Sequence, residues 1–212
     1  CQYTATISTS YDMVDCSNTP KQGAWELPPA ALRYLNPSRF CQSDKLYRLA
    51  NRMFGVTGND FEKVMAINDW IYNNVEYLSG STNSETSAYD TVTQQAGVCR
   101  DFAHLGIALC RALTIPARYC AAYAYQLQPQ DFHACYEAYI NGRWIIFDAT
   151  RLAPINGLVK IAVGRDAADT AIANLFEDVN GNYVTVHTSL AEGDFTPFFY
   201  PQGTFAGLSY ES

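Results

Sequence analysis

Two strand-like runs on either side of Asn141-Gly142 constrain the fold of this chain more than any other feature of its sequence. The runs cover residues 132–140 and 143–150. An Asn-Gly pair between two such runs is a strong local indication of a β-hairpin, because both residues tolerate the positive φ angles of a type I′ turn. A two-residue loop pairs the residues that flank it, so the register of the whole hairpin follows by counting.

This register brings together side chains that are not adjacent in the sequence. Counting back from the turn places His133 opposite Thr150 and Cys135 opposite Asp148. Because successive side chains alternate between the two faces of a strand, His133 and Asp148 share one face. Their Cβ atoms are diagonal neighbours, at most about 7–8 Å apart. The sequence therefore predicts a hydrogen-bonded pair formed by His133 and Asp148.

The stretch from Gly97 to Leu105 is interpreted as a turn that leads directly into a helix. Apolar residues recur at helical spacing from Cys99 onward, and Pro116 disfavours helical angles in the residue before it. Cys99 therefore lies in the first helical turn, where unpaired N–H groups and the helix dipole favour a thiolate over a thiol. The alternative is a structural role, since free cysteine is among the most buried residue types.

A cysteine at a helix N-terminus and a paired histidine and carboxylate are the components of a Cys-His-Asp catalytic site. In this interpretation Asp148 orients the imidazole, His133 takes the thiol proton, and Cys99 attacks a carbonyl carbon. The backbone N–H of Cys99 is a natural donor to the oxyanion. Alternatively, His133 is a hydrogen-bonded core histidine and Asp148 caps a turn. We interpret His104 as structural, and His187 has no evident carboxylate partner.

Other elements are predicted from periodicity, capping residues and turn residues. Asn59 followed by Glu62 three positions later is a capping-box pattern at the start of a helix. Arg100 and Asp101 are expected to form a solvated pair in a first helical turn. The remaining predictions are helices over 43–55 and 87–95, strands over 3–11, 117–127 and 183–187, and a helix start over 166–171.

Composition excludes several classes of protein. The chain has 212 residues with 48% hydrophobic and 17% charged residues, which is typical of an ordered globular protein. Its 21 acidic against 14 basic residues argue against a nucleic-acid partner. No apolar run approaches the roughly 20 residues that a membrane span needs.

The seven cysteines include no Cys-x-x-Cys pair, and with three histidines they do not resemble a zinc framework. A chain of this size does not need disulfides for stability, so reduced thiols and a cytoplasmic location are expected. Export is the alternative, in which Cys1, Cys16 and Cys41 could pair.

Three blocks of the sequence resemble the signature blocks of the transglutaminase-like superfamily, in its bacterial cysteine-peptidase branch. They are residues 97–103 around Cys99, residues 132–134 around His133 and residues 147–150 around Asp148, and the likeness extends over roughly residues 37–175. The resemblance implies an α+β, papain-like fold in which the cysteine helix packs on an antiparallel sheet that carries the histidine and the aspartate. It also implies a catalytic domain over 37–212, preceded over 1–36 by the end of an N-terminal β domain and a linker.

The chain departs from the family pattern at two places. Where the family usually has a tryptophan after His-Ala, this chain has Cys135, which is expected to be packed in the core or, less simply, to form a disulfide. Eukaryotic transglutaminases also use an upstream tryptophan as an oxyanion donor. The matching region here is the polar loop near Asn83 and Ser84, so Asn83 is a weak candidate for the second donor.

The function implied is a thiol hydrolase, a cysteine peptidase or amidase, that cleaves an amide bond through a thioacyl-enzyme. The alternatives are a protein-glutamine transglutaminase and a non-catalytic interaction module of the same family. A peptide or protein substrate is expected, with no nucleic acid, no metal and no cofactor. The oligomeric state is left open.

Overall fold

A four-stranded antiparallel sheet lies at the centre of the computed structural model, which describes residues 2–18, 23–171 and 184–210. Five α-helices and eight strands occur in these ranges. The helices are α1 (Pro29–Leu32), α2 (Ser43–Phe54), α3 (Asp60–Asn74), α4 (Ala88–Gln94) and α5 (Cys99–Ala112). The strands are β1 (Asp12–Asp15), β2 (Glu76–Tyr77), β3 (Ala96–Gly97), β4 (Ala117–Ala124), β5 (Phe132–Ile140), β6 (Arg143–Phe147), β7 (Leu158–Gly164) and β8 (Ala206–Ser209).

The central sheet has the strand order β6-β5-β4-β7, and its predicted hairpin is confirmed. Ile140 pairs with Arg143, and the two turn residues have positive φ angles, 51° for Asn141 and 78° for Gly142. Such angles at both positions are those of a type I′ turn. Strand β6 ends at Phe147, three residues before the predicted end.

Helix α5 lies against one face of this sheet, and α2 and α3 complete the main core on the same side. The helix packs tightly against the sheet at Gly106, where a Cβ atom would lie 2.6 Å from Cε1 of the Tyr136 ring on β5. A side chain at this position would separate the helix from the strand. The glycine therefore lets the middle of α5 pack close to β5, the strand that carries His133.

Two smaller sheets complete the described structure. Strands β1 and β8 pair antiparallel, whereas β2 and β3 pair parallel, with Tyr77 beside Gly97. Because β3 runs directly into α5, this short parallel pair also fixes Tyr77 next to the start of the cysteine helix. No helix in the described ranges is long and apolar enough to cross a membrane.

The helices predicted near Ser43 and Asn59 are confirmed. The Glu62 N–H donates to the Asn59 side chain at 3.0 Å, and the Asn59 N–H donates to the Glu62 carboxylate at 2.8 Å. The strand predicted over 3–11 is wrong, because β1 begins at Asp12 and residues 2–11 are exposed without regular structure. Strand propensity alone does not hold a segment in a sheet when it has no paired neighbour.

The helix start predicted over 166–171 is also wrong, since these residues form a turn. Asp166 organises the turn by accepting hydrogen bonds from the N–H groups of Phe40 at 3.0 Å and Ala168 at 2.9 Å. Residues 184–187 are not a strand, and Tyr183 of that prediction lies outside the described residues. Together, the helices and antiparallel strands confirm the α+β class.

Candidate active site

Cys99 is the first residue of α5, and the turn before it is built by Gly97 and Asp101. The Asp101 carboxylate accepts a hydrogen bond from the Val98 N–H at 2.9 Å and one from Arg100 Nη2 at 3.0 Å. A Cβ atom on Gly97 would lie 2.8 Å from Cβ of Asp101, so glycine is needed here for space. The Asp101 side chain is 0% exposed, so the expectation of a solvated pair was wrong. The carboxylate is buried because it caps the turn that presents Cys99.

His133 and Asp148 form the predicted contact. His133 Nε2 lies 2.8 Å from Asp148 Oδ2, and each side chain is 1% exposed. The other carboxylate oxygen accepts hydrogen bonds from the Thr150 N–H at 2.8 Å and the Thr150 hydroxyl at 2.7 Å. Asn68 donates to the Asp148 carbonyl oxygen at 3.2 Å. The carboxylate is therefore held from both sides, with one oxygen directed at the imidazole.

The side chain of His133 is also within hydrogen-bonding reach of the side chain of Cys99. Because Nε2 contacts Asp148, Nδ1 is the ring nitrogen left for a contact with the sulphur. Burial by itself lowers the pKa of His133, but the charge and hydrogen bond of Asp148, together with those of Cys99, outweigh burial and raise it. Asp148 and Cys99 therefore both favour the protonated form of the imidazole.

A cavity of about 270 Å³ opens beside these groups. Cys99 is partly exposed in its wall, whereas His133 is almost completely buried. Small side chains dominate the lining, which leaves room for a substrate segment at the sulphur. The lining residues are Cys99, Arg100, Tyr119, Ala121, Asp131, Phe132, His133, Ala134, Ala167, Thr170 and Ala171.

Tyr77 is a neighbour of Cys99 that the sequence analysis missed. Its phenol group is within hydrogen-bonding reach of both the backbone and the side chain of Cys99. Burial is the main cause that raises the pKa of Tyr77 to about 12. The contact depends on the parallel pairing of two strands of only two residues each. No periodicity can be read from so short a strand, so the sequence carries no signal for this contact.

Asn83 is not brought to Cys99. Its side-chain oxygen accepts a hydrogen bond from the Glu85 N–H at 2.8 Å, and its backbone carbonyl accepts one from Arg100 Nη2 at 2.6 Å. Asn83 is not among the residues that line the cavity. The structure therefore brings together Cys99, His133 and Asp148, and leaves Asn83 in the adjacent loop.

His104 lies in the core and contacts two aromatic rings, Phe40 and Tyr119, each with a centroid separation of 5.2 Å. Its Nε2 accepts a hydrogen bond from the Ala167 N–H at 3.1 Å. Burial lowers the pKa of His104 to about 3, so the ring is neutral. These contacts fit the structural interpretation, whereas His187 is exposed in an irregular segment.

Cys135 is buried on the face of the sheet opposite α5 and lies beside Cys120 of β4. Its sulphur is 3.8 Å from the Cys120 carbonyl oxygen. Cys135 and Cys120 are both free thiols, as is Cys41. Cys135 therefore packs as a small apolar side chain in this structure. Within the described ranges, no group of three or more His, Cys, Asp or Glu side chains is arranged to hold a metal ion.

Comparison with known proteins identifies the family. The family profile described as the transglutaminase-like superfamily matches residues 47–149. A crystal structure of a putative cysteine protease from Cytophaga hutchinsonii has 57% sequence identity and a TM-score of 0.92, over 95% of this chain and 70% of that one. An uncharacterised protein of Mycobacterium leprae (strain TN) is 29% identical over 116 residues, 51% of this chain. The match spans only 42% of that relative. With its α+β fold and these matches, the chain belongs to the transglutaminase-like superfamily.

Proposed function

We propose that the protein is a thiol hydrolase, a cysteine peptidase or amidase, with Cys99 as nucleophile, His133 as acid and base, and Asp148 as the group that orients His133. The observation that carries this proposal is that Asp148 is hydrogen-bonded to His133, and that His133 and Cys99 line the same cavity. A nucleophile, a base and an orienting carboxylate in this order are the arrangement that covalent acyl transfer requires.

The first half of the reaction forms a thioacyl-enzyme. The Cys99 thiolate attacks the carbonyl carbon of an amide, and the carbonyl oxygen becomes an oxyanion that the Cys99 N–H stabilises. The His133 imidazolium then donates its Nδ1 proton to the departing amine nitrogen, and the C–N bond breaks. Asp148 stabilises the imidazolium until that proton leaves.

The second half releases the acid. Neutral His133 takes a proton from a water molecule, whose oxygen attacks the thioester carbon, and the C–S bond breaks to restore the thiolate and imidazolium. Because Cys99 is partly exposed, water can reach the thioester carbon. This access favours hydrolysis over transfer to an amine. The name of the Cytophaga hutchinsonii relative supports the same choice.

The proposal is tested by labelling with iodoacetamide at neutral pH, followed by mass mapping. We expect selective labelling of Cys99 that His133→Ala abolishes, while His187→Ala, a change at the exposed histidine, leaves it intact. Equal labelling of all cysteines, or none, would favour a non-catalytic module. A digest of a peptide library then identifies the substrate, and addition of an alkylamine distinguishes hydrolysis from transfer by the mass of the product.

A further inference from the structure

Asp131 contributes a carboxylate to the wall of the cavity that contains Cys99. It lies directly before β5, two residues ahead of His133, and both residues line the cavity. Two residues of extended chain span at most about 7 Å, so the backbone holds Asp131 within about two residues of an extended substrate from His133. Asp131 is exposed, so a bound substrate can reach it.

The chain around Asp131 is fixed by hydrogen bonds. Its Oδ1 accepts a hydrogen bond from the Phe132 N–H at 2.7 Å. The neighbouring Gln130 side chain donates to the Thr188 carbonyl at 3.2 Å and accepts from the Thr188 N–H at 2.6 Å. The carboxylate is therefore oriented before a substrate binds. Its other oxygen, Oδ2, has no hydrogen-bond partner among the described residues.

The two basic residues of the described cavity wall, Arg100 and His133, are each paired with another carboxylate. Nε and Nη2 of Arg100 donate to Asp101 Oδ1 at 3.2 Å and 3.0 Å, and Nη2 also donates to the Asn83 carbonyl at 2.6 Å. His133 is paired with Asp148. The positive charges of the wall are therefore already balanced by carboxylates other than Asp131.

Asp131 is left with a negative charge that the described wall does not balance. No lysine, arginine or histidine in the described ranges forms an ion pair with it. Burial raises the pKa of Tyr119 well above its usual range, so this wall phenol is neutral. The cavity consequently has an excess of negative charge beside the strand that carries His133, and such a cleft attracts positively charged substrates.

The position of Asp131 also indicates which half of the substrate it meets. In the proposed reaction His133 gives its proton to the departing amine nitrogen, so the amine half of the substrate lies at His133. Asp131 belongs to the same stretch of chain as His133. A positive group within about two residues of the scissile amide, on its amine side, therefore meets the Asp131 carboxylate.

We propose that Asp131 selects peptides that carry lysine or arginine at the first or second position after the scissile amide, an inference that rests on the proposed thiol hydrolase. The ammonium or guanidinium group of the substrate donates a charge-assisted hydrogen bond to Oδ2 of Asp131. An acidic side chain at the same position is rejected, because two like charges repel. Asp131 determines specificity and takes no part in the proton transfers.

The test digests a library of mixed-sequence peptides with the wild type, Asp131→Asn and Asp44→Asn, and maps the cleavage sites by mass spectrometry. Asp131→Asn keeps the oxygen that accepts the Phe132 N–H and removes only the charge. Asp44→Asn makes the same change of charge at an exposed position in the first turn of α2. We expect the wild type and Asp44→Asn to favour a basic residue after the cleaved bond.

A pair of cleaved peptides that differ only by lysine or glutamine at that position gives the size of the effect. Asp131→Asn should lower the ratio of their kcat/KM values about 10-fold, between the effects of an exposed ion pair and of a hydrogen bond to a charged group. The kcat/KM for the glutamine peptide should not change. Asp131→Lys should reverse the preference towards acidic residues.

A second readout reports the charge of the cavity without a substrate. Cys99 is modified with two methanethiosulfonate reagents, the cationic trimethylammonioethyl and the anionic sulfonatoethyl compound, and its labelling is followed by mass mapping. The ratio of the two rate constants should favour the cation in the wild type. It should fall about 10-fold in Asp131→Asn, as expected for one charge at this separation.

Cleavage with no preference for basic residues, or a preference that Asp131→Asn leaves unchanged, overturns the role of Asp131 while the hydrolase stands. A ratio of labelling rates that is the same in the wild type and Asp131→Asn also contradicts it. A wild type that cleaves no peptide, although both reagents modify Cys99, overturns the proposed hydrolase, and the selection by Asp131 with it.

Discussion

Two buried histidines of this protein, His133 on β5 and His104 on α5, have pKa values that are shifted in opposite directions. They are removed from solvent to a similar degree, with 2% and 0% exposure. The pKa of His133 is raised, whereas that of His104 is lowered to about 3. Burial disfavours the charged form of both rings, so the difference comes from their partners.

The partner of His133 is a carboxylate in direct contact, whereas His104 has none. The carboxylate that acts on His104 is Asp166, whose charge raises the pKa of His104. The charges of Arg100 and Arg111 lower that pKa. The oxygens of Asp166 already accept hydrogen bonds from the Phe40 and Ala168 N–H groups. The comparison teaches that burial alone lowers the pKa of a histidine in this protein, and that a carboxylate in direct contact reverses the shift.

Exchanging each histidine for glutamine tests the comparison most strongly. His133→Gln removes the group that moves the proton, so we expect kcat/KM to fall about 10⁵-fold. His104→Gln keeps an acceptor for the Ala167 N–H and should leave kcat/KM close to the wild-type value. It should lower the free energy of unfolding by about 1–3 kcal/mol through the lost aromatic contacts. Steady-state kinetics and urea unfolding measure the two effects, and equal kinetic losses would contradict the distinction.

Asp148→Asn removes the carboxylate that contacts His133. The ring is then buried without a carboxylate in direct contact, as His104 is. Without the carboxylate, burial is unopposed, so the pKa of His133 should fall below its usual range. We expect a loss of about 10⁴-fold in kcat/KM, because the imidazolium is no longer stabilised or held in the correct tautomer. An NMR titration of the ring protons reports the pKa, and an unchanged His133 pKa would show that Asp148 is not its cause.

Thr150→Val is a milder change to the same partner. It removes the hydroxyl that donates to Asp148 at 2.7 Å and leaves the backbone donor in place. A hydrogen bond to a charged group contributes about 1.5–3 kcal/mol, so kcat/KM should fall roughly 10-fold to 100-fold. Thr93→Val, at an exposed threonine of α4, is the matched control and should behave as the wild type.

The pH dependence of stability should have opposite signs for the two histidines. Unfolding exposes His104 to protonation, so stability falls as the pH decreases from about 6.5 towards 3, by at most about 1.4 kcal/mol per pH unit. His133 stabilises the fold below about 6.5, and that contribution is lost as the pH rises through its raised pKa.

Urea unfolding at a series of pH values measures these contributions as differences from His104→Gln and His133→Gln. The difference in unfolding free energy between the wild type and His104→Gln should change with pH only below about pH 6.5. The corresponding difference between the wild type and His133→Gln should change only above about pH 6.5. A His104→Gln difference that does not vary with pH would mean that the ring has the same pKa in the folded and the unfolded chain, which contradicts the effect of burial.

Local patterns in the sequence were sufficient to predict the hairpin and the helix that carry the candidate site. The Asn141-Gly142 turn determined the register of the hairpin, and the register placed His133 next to Asp148. The helix start at Cys99 could also be predicted, because a turn followed by periodic apolar residues is a local pattern. The catalytic roles of these residues remain predictions until the variants are measured.

Contacts that join distant segments could not be predicted in the same way. The buried Asp101 was expected to be solvated, because the space beside Gly97 that encloses it exists only after the chain has folded. The strand propensity of residues 3–11 was misleading for a related reason, since no neighbouring strand pairs with that segment within the described residues.

By itself, the sequence determined the cysteine helix, the hairpin and the histidine–aspartate pair, because each depends on periods and turns only a few residues long. The tertiary structure decided that Gly106 lets the helix pack against Tyr136, and that Cys99 and His133 line one cavity. It also decided that Tyr77, rather than Asn83, lies at the Cys99 backbone. The physical reason is that close approach between segments depends on packing volumes and on pairing across the fold, which no local pattern of residues encodes.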